Sequence, residues 1–122
     1  MTRIRSKNTK PEKILRSLLH NVGLRFRIHR EDLPGKPDIV FPRQKLVVFV
    51  HGCFWHFHKD CREGRIPSSN SIFWRNKLQK NVDRDQRNID RLQKDGWKVI
   101  VIWECEIENY PEKFVKKVVS NL

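Results

Sequence analysis

The chain has 122 residues, enough for one domain with a core of its own, and close to the size at which a staple helps. Lysine and arginine number 26 against 14 acidic residues, giving a net charge of +12 and a pI near 10.1, an excess that points to phosphate, and so to nucleic acid, more than to a merely solvated basic surface. No apolar run is long enough to span a membrane or serve as a secretion signal, and three cysteines suit metal ligation in a reducing cytoplasm better than a disulfide framework.

Residues 1–8 are basic, with Met1 and Ile4 as their apolar side chains, and read as an N-terminal arm ahead of a single domain over residues 9–122. Such an arm either lies along nucleic acid or frays. A helix is predicted to open at Thr9: Thr9 can cap it, Pro11 suits the first turn, and Glu12 stands where a capping-box glutamate reaches back. Ile14, Leu15, Leu18, Leu19 and Val22 then fall at helical spacing, and Gly23 stops the segment. Glu12 is either a cap or a catalytic carboxylate, and spacing leaves both open. Leu24, Phe26 and Ile28 alternate with Arg25, Arg27 and His29, the period of a strand with one buried face.

Leu33-Pro34-Gly35-Lys36-Pro37 is turn chemistry, followed by Asp38 and the short apolar run Ile39-Val40-Phe41. Pro42-Arg43-Gln44 turns the chain into Lys45–Val50, an almost continuous apolar run of the kind covered on both faces. An aspartate after a proline is ordinarily a turn residue. A buried hairpin of these two strands would instead set Asp38 beside His51.

Residues 51–61 concentrate Cys53, Cys61, His51, His56, His58, Phe54, Trp55 and Phe57. Cys53, His58 and Cys61 are ligand types that Zn²⁺ prefers, but a closed tetrahedral site needs a fourth. Cys105 supplies it, with His56 as the alternative. His51 and His56 then remain for chemistry, since hydrolysis of a phosphodiester calls for a carboxylate to hold Mg²⁺, a base for water and cationic groups around the developing charge. Asp38, His51, His56 and Glu12 are the candidates; the bland reading of His51 is a satisfied histidine at a strand end. Phe54, Trp55 and Phe57 either belong to the core or sit on a tethered loop that offers rings to bases, and Trp74 divides the same way.

A polar loop leads to a helix predicted from about Ser71 to Asp95, with Leu78, Val82, Ile89 and Leu92 on its apolar stripe and Lys77, Lys80, Arg84, Arg87 and Arg91 on the other face. Gly96 ends it. Trp97–Trp103 reads as a second buried strand that delivers Cys105 to the central stretch, and Pro111–Leu122 as an amphipathic helix with Phe114, Val115, Val118 and Val119 on one side. The order α-β-β-β-α-β-α predicts an α/β fold, a mixed central sheet flanked by helices.

Leu33-Pro34-Gly35-Lys36-Pro37-Asp38, His51-Gly52-Cys53-Phe54-Trp55-His56, Lys80-Asn81-Val82-Asp83-Arg84-Asp85, Gly96-Trp97 and Val101-Ile102-Trp103-Glu104-Cys105 together resemble the very short patch repair (Vsr) DNA mismatch endonucleases, in the right order from Met1 to about Cys105. The resemblance implies a restriction-endonuclease-like fold with a structural zinc and a Mg²⁺-dependent enzyme that nicks one strand of DNA beside a T:G mismatch. By resemblance Asp38 binds Mg²⁺, together with the main-chain carbonyl of Val50, which stands where the family commonly has threonine. His51 and His56 are active-site histidines with His56 the base, and Glu12 supports that base. Cys53, His58, Cys61 and Cys105 match the zinc ligands. Phe54, Trp55 and Trp74 match the rings that enter the DNA stack; Met1, Ile4 and Lys36 are assigned to DNA contact with them. The implied protein is a cytoplasmic, nucleoid-associated monomer that acts on double-stranded DNA, with a mismatch-repair helper protein as a further partner. Two alternatives remain, a restriction- or defence-type endonuclease without mismatch specificity and a non-catalytic zinc-stabilised DNA-binding module.

Overall fold

The computed structural model describes residues 10–28, 30–53 and 68–122. Helix α1 (Lys10–Asn21) is followed by strands β1 (Arg27–Ile28), β2 (Ile39–Phe41) and β3 (Leu46–His51), helix α2 (Ser71–Lys94), strand β4 (Lys98–Trp103) and helices α3 (Glu104–Asn109) and α4 (Pro111–Ser120). The strands form one sheet in the order β1-β2-β3-β4, antiparallel except for β3 and β4, which run parallel. A parallel pair needs a long crossover, and α2 is part of it. None of the described helices is long and apolar enough to cross a membrane.

Alternation along the strands sorts the core into two layers. Leu46, Val48, Ile39, Ile100 and Ile102 pack with Leu15 and Leu19 of α1 and with Ile107, Phe114 and Val118 of the last two helices, while Val40, Val47 and Phe49 pack with Leu92 of α2. The sheet therefore lies between α1, α3 and α4 on one side and α2 on the other. β3 is buried on both faces, which accounts for its unbroken apolar run. Each such side chain removed from water contributes about 1.5–3 kcal/mol.

Four expectations are corrected. Of the alternating segment predicted over Leu24–His29, the described residues 24–28 form only the two-residue β1, both residues exposed, because it is the sheet edge and no element among the described residues covers it; His29 lies outside them. Leu24 and Phe26 still pack on the core from the preceding turn, with the Phe26 ring stacked on His20 at 4.5 Å and edge-on to Phe41 at 5.8 Å. β4 is not buried throughout: Lys98 is exposed and burial alternates, Ile100 and Ile102 facing the thicker layer. Val22 and Val119 are exposed, outside the stripes proposed for them. Finally, α3 is an additional helix, opened where Glu106 Oε1 accepts a hydrogen bond from Trp103 N at 3.2 Å and carrying Cys105 in its first turn.

The turn before Asp38 is clamped onto α2. Gly35 has φ +76°, and a Cβ there would lie 3.1 Å from both Asn88 Cβ and Phe49 Cε1. Only glycine meets the left-handed backbone and the close approach together. Lys36 N donates to Leu33 O at 3.1 Å, closing the turn. Gly35→Ala is expected to cost about 1–3 kcal/mol, read as a lower urea midpoint at unchanged slope; an unchanged midpoint would show that the turn is free of α2.

Candidate active site

Asp38 is held at the mouth of the β2–β3 hairpin. Its main-chain N donates to Val48 O at 3.1 Å, and its Oδ2 accepts a hydrogen bond from Val50 N at 2.6 Å. Hairpin pairing of Ile39 with Val48 fixes this placement, so β3 ends beside the carboxylate. On the other side stands Glu12, in the first turn of α1 and only 2% exposed, whose carboxyl is hydrogen-bonded to that of Asp38. Its side chain turns into the core against the strand edge; Thr9, the partner a capping box would need, lies outside the described residues. Two carboxyls in such a bond share a proton.

Burial, and next the Glu12 hydrogen bond, push the Asp38 carboxyl up to about 8, while the Val50 N–H and the Arg16 guanidinium oppose the shift. Arg16 lies four residues after Glu12, on the same face of α1. That i, i+4 relation is visible in the sequence, and it is the signal by which Arg16 could have been found. Two buried carboxyls with one proton between them are an arrangement that a hard divalent cation completes, since it takes the place of the proton and lets both ionise.

His51 is the last residue of β3 and 6% exposed. Its ring lies 5.7 Å from that of Phe49, on the α2 side of the sheet, and edge-on to Trp103 at 5.2 Å. Trp103 is its register partner on β4; the sequence placed it at a strand end and within a matching motif but gave it no role in the site. Val50, between Asp38 and His51 in space, packs towards the α1 layer. Thus Asp38, Glu12, Val50 and His51 meet at one end of β3, reached from both faces of the sheet.

The parallel pairing ends just ahead of two of the cysteines. Cys53 and Cys105 each follow a paired residue, His51 and Trp103, by two positions, and between them a Cβ on Gly52 would meet Glu104 Oε2 at 3.5 Å. Cys53 is buried and Cys105 half-buried. Among the described residues no group of three or more His, Cys, Asp or Glu side chains is arranged to hold a metal; His58 and Cys61, half of the expected zinc set, lie outside them, as do Phe54, Trp55, His56, Met1 and Ile4. Trp74 is half-buried in the first turn of α2, with Phe73 edge-on at 5.3 Å. Lys36 is exposed with φ 50°, two residues before Asp38.

Comparison with known proteins points the same way. Residues 1–63 match the family profile described as DNA mismatch endonuclease Vsr. The chain is 56% identical over 109 residues to the type II nicking enzyme V.XorIIP of Xanthomonas oryzae pv. oryzae, a span of 89% of this chain and 79% of that protein. It is 50% identical over 109 residues to the type II nicking enzyme V.NmeAIP of Neisseria meningitidis serogroup A, covering 89% and 77%. With the DNA mismatch endonuclease Vsr of Escherichia coli K12 the identity is 46% over 107 residues, covering 88% and 68%.

The Asp38 shift has a definite sign. Its ordinary value is 3.8 and its folded value about 8, so between these limits the folded chain holds a proton that the unfolded chain has released. Stability then falls as pH rises through that window. In buffer free of divalent cations, Tm is expected to drop between about pH 5 and pH 8 more steeply than in Asp38→Asn, whose amide keeps both hydrogen bonds without titrating. Parallel Tm curves for the two proteins would refute the shared proton.

Proposed function

Because the chain belongs to the Vsr family of DNA endonucleases, we propose that it nicks one strand of double-stranded DNA beside a T:G mismatch, as a Mg²⁺-dependent enzyme. The observation that carries the reading is the buried Glu12–Asp38 carboxyl pair at the end of β3, beside His51. A core seeking only stability would put apolar side chains there.

In this reading Asp38 and the main-chain carbonyl of Val50 hold Mg²⁺. When bound, the ion polarises the scissile phosphate and stabilises the charge that develops on it. His56 takes the proton from the attacking water at a ring nitrogen, as general base. Glu12 supports that base, and His51, fixed by Phe49 and Trp103, presents its imidazole to the phosphate. Phe54, Trp55 and Trp74 supply rings to the opened base step, a T:G wobble pair being easier to open than a well-stacked pair, and each base–aromatic contact returns about 1–3 kcal/mol. Met1, Ile4 and Lys36 contribute DNA contacts around this centre.

A structural Zn²⁺ held by Cys53, His58, Cys61 and Cys105 would tie the ends of β3 and β4 to the intervening residues. Support for it comes from the parallel pairing of β3 and β4, which ends two residues before Cys53 and Cys105, and from thiolate and imidazole being the donors zinc prefers. A second reading has its own support: V.XorIIP and V.NmeAIP are named as type II nicking enzymes, which favours a nicking activity tied to a restriction system.

The decisive test compares T:G-mismatched and matched duplexes with and without Mg²⁺. Nicking is expected only with Mg²⁺ and at least tenfold faster on T:G; equal rates on both duplexes would remove the mismatch and leave the restriction-linked reading. Asp38→Asn should abolish nicking while retaining DNA affinity, and His56→Ala should cost at least about a hundredfold. Undiminished turnover in either would place the chemistry elsewhere.

Metal analysis checks the zinc. One Zn²⁺ per chain is expected, and Cys105→Ala should lose it and unfold, since such a site contributes on the order of 10 kcal/mol to folding. Native protein without zinc would exclude the site.

A further inference from the structure

The face of α2 turned away from the sheet has no part in the chemistry described so far. Phe73, Lys77, Lys80, Arg84, Arg87 and Arg91 are all exposed and recur at alternating intervals of four and three, which at 3.6 residues per turn lays them in one row. The row lies well round the helix from Leu78 and Leu92, the buried residues. Lys77, Lys80, Asn81, Asp83, Arg84 and Arg87 surround a surface depression of about 390 Å³.

The row itself holds no acidic residue, and Asp83, which borders it at the depression, is bound by a glutamine. Gln79 Nε2 donates to Asp83 Oδ1 at 3.1 Å and Gln86 Nε2 to Asp90 Oδ1 at 2.9 Å, in a separate stripe, and Asp85 lies half-buried on the core side. Among the described residues Lys80, Arg84, Arg87 and Arg91 carry no ion pair. Within the row like charges meet at i, i+4, Lys80 with Arg84 and Arg87 with Arg91, a repulsion that a polyanion relieves.

At a rise of 1.5 Å per residue the basic row from Lys77 to Arg91 is about 21 Å long, the length of about six base pairs at 3.4 Å each. Its head is Phe73, 58% exposed and edge-on to Trp74, so the row starts beside a ring assigned to the opened base step and leads away from it. We propose that this face of α2 is a rail for the sugar-phosphate backbone of the duplex flanking the nick site. The proposal rests on the DNA-nicking reading above and adds the surface that holds the flank.

The test uses two charge-reversed variants of the whole chain. In R84E/R87E two rail positions are reversed. In R25E/R43E the same charge change is made around a groove at the turn end of the β2–β3 hairpin, opposite Asp38. Thermal melts establish that both fold. On duplexes with a flank of about eight base pairs, R84E/R87E is expected to raise KM on the order of tenfold with kcat kept at saturating DNA, and to flatten the slope of log K against log salt by about 1.8, two phosphates at about 0.9 each. Shortening the flank to about two base pairs should abolish the difference from the unaltered protein. R25E/R43E should leave the slope much nearer to that of the unaltered protein. Equal effects of the two variants would reduce the rail to net charge and overturn it, as would an unchanged KM and slope in R84E/R87E on DNA that the unaltered protein nicks. Should the unaltered protein nick no duplex, the nicking reading falls, and the salt slopes of the two variants alone decide the rail.

Discussion

The bond between the Glu12 and Asp38 carboxyls is the constraint on which the arrangement of the site depends. Two like-charged groups in a buried position cannot both ionise without a counter-charge, and here they are brought together by elements of separate origin, the first turn of α1 and the entry to β2. Apolar packing of Leu15 and Leu19 against Ile39 and Val48 fixes α1 on the sheet, and that same packing holds Glu12 where it is. The layer that stabilises the domain thus also keeps an unfavourable pair in place. Arg16 opposes the upward shift of Asp38.

A second constraint is the parallel pairing of β3 with β4. Because residues in a parallel ladder advance together, the chain leaves both strands at the same edge of the sheet, His51 level with Trp103. The edge-on contact of these rings fixes the histidine at the point where Asp38 arrives from the hairpin. Cys53 and Cys105 each follow the last register pair by two residues. A proposed catalytic centre and a proposed metal staple are therefore neighbours for one geometric reason.

Helix α2 links the two ends of this arrangement. Its last turns pack Leu92 on the far face of the sheet, and Lys45 Nζ donates to Asp95 O at 3.0 Å just past its end, above the Trp97 ring. Its middle is clamped by Gly35 against Asn88, within the turn that leads into Asp38. The apolar row of the helix is committed to the sheet, and the basic row remains available to solvent or to a ligand.

Periodicity in the sequence was sufficient for α1, α2, α4 and the buried β3, because each buries a regular stripe or run and the hydrophobic effect enforces that pattern locally. Turn residues placed Asp38 at the start of a strand, and the density of Cys and His in residues 51–61 marked the centre of interest. What the sequence determined by itself was therefore the set of elements and the short list of reactive side chains. Tertiary structure decided their relations. The burial of Glu12 against Asp38 depended on what lay across from α1, which no local pattern encodes. The brevity of β1 depended on its edge position, the half-burial of β4 on which layer each residue met, and the extra helix α3 on one carboxylate reaching back to Trp103 N. Arg16 and Trp103 gained their roles only through neighbours distant in the chain. A residue's type limits the chemistry it can do, but its burial and partners come from packing between elements, and that packing exists only once the chain has folded.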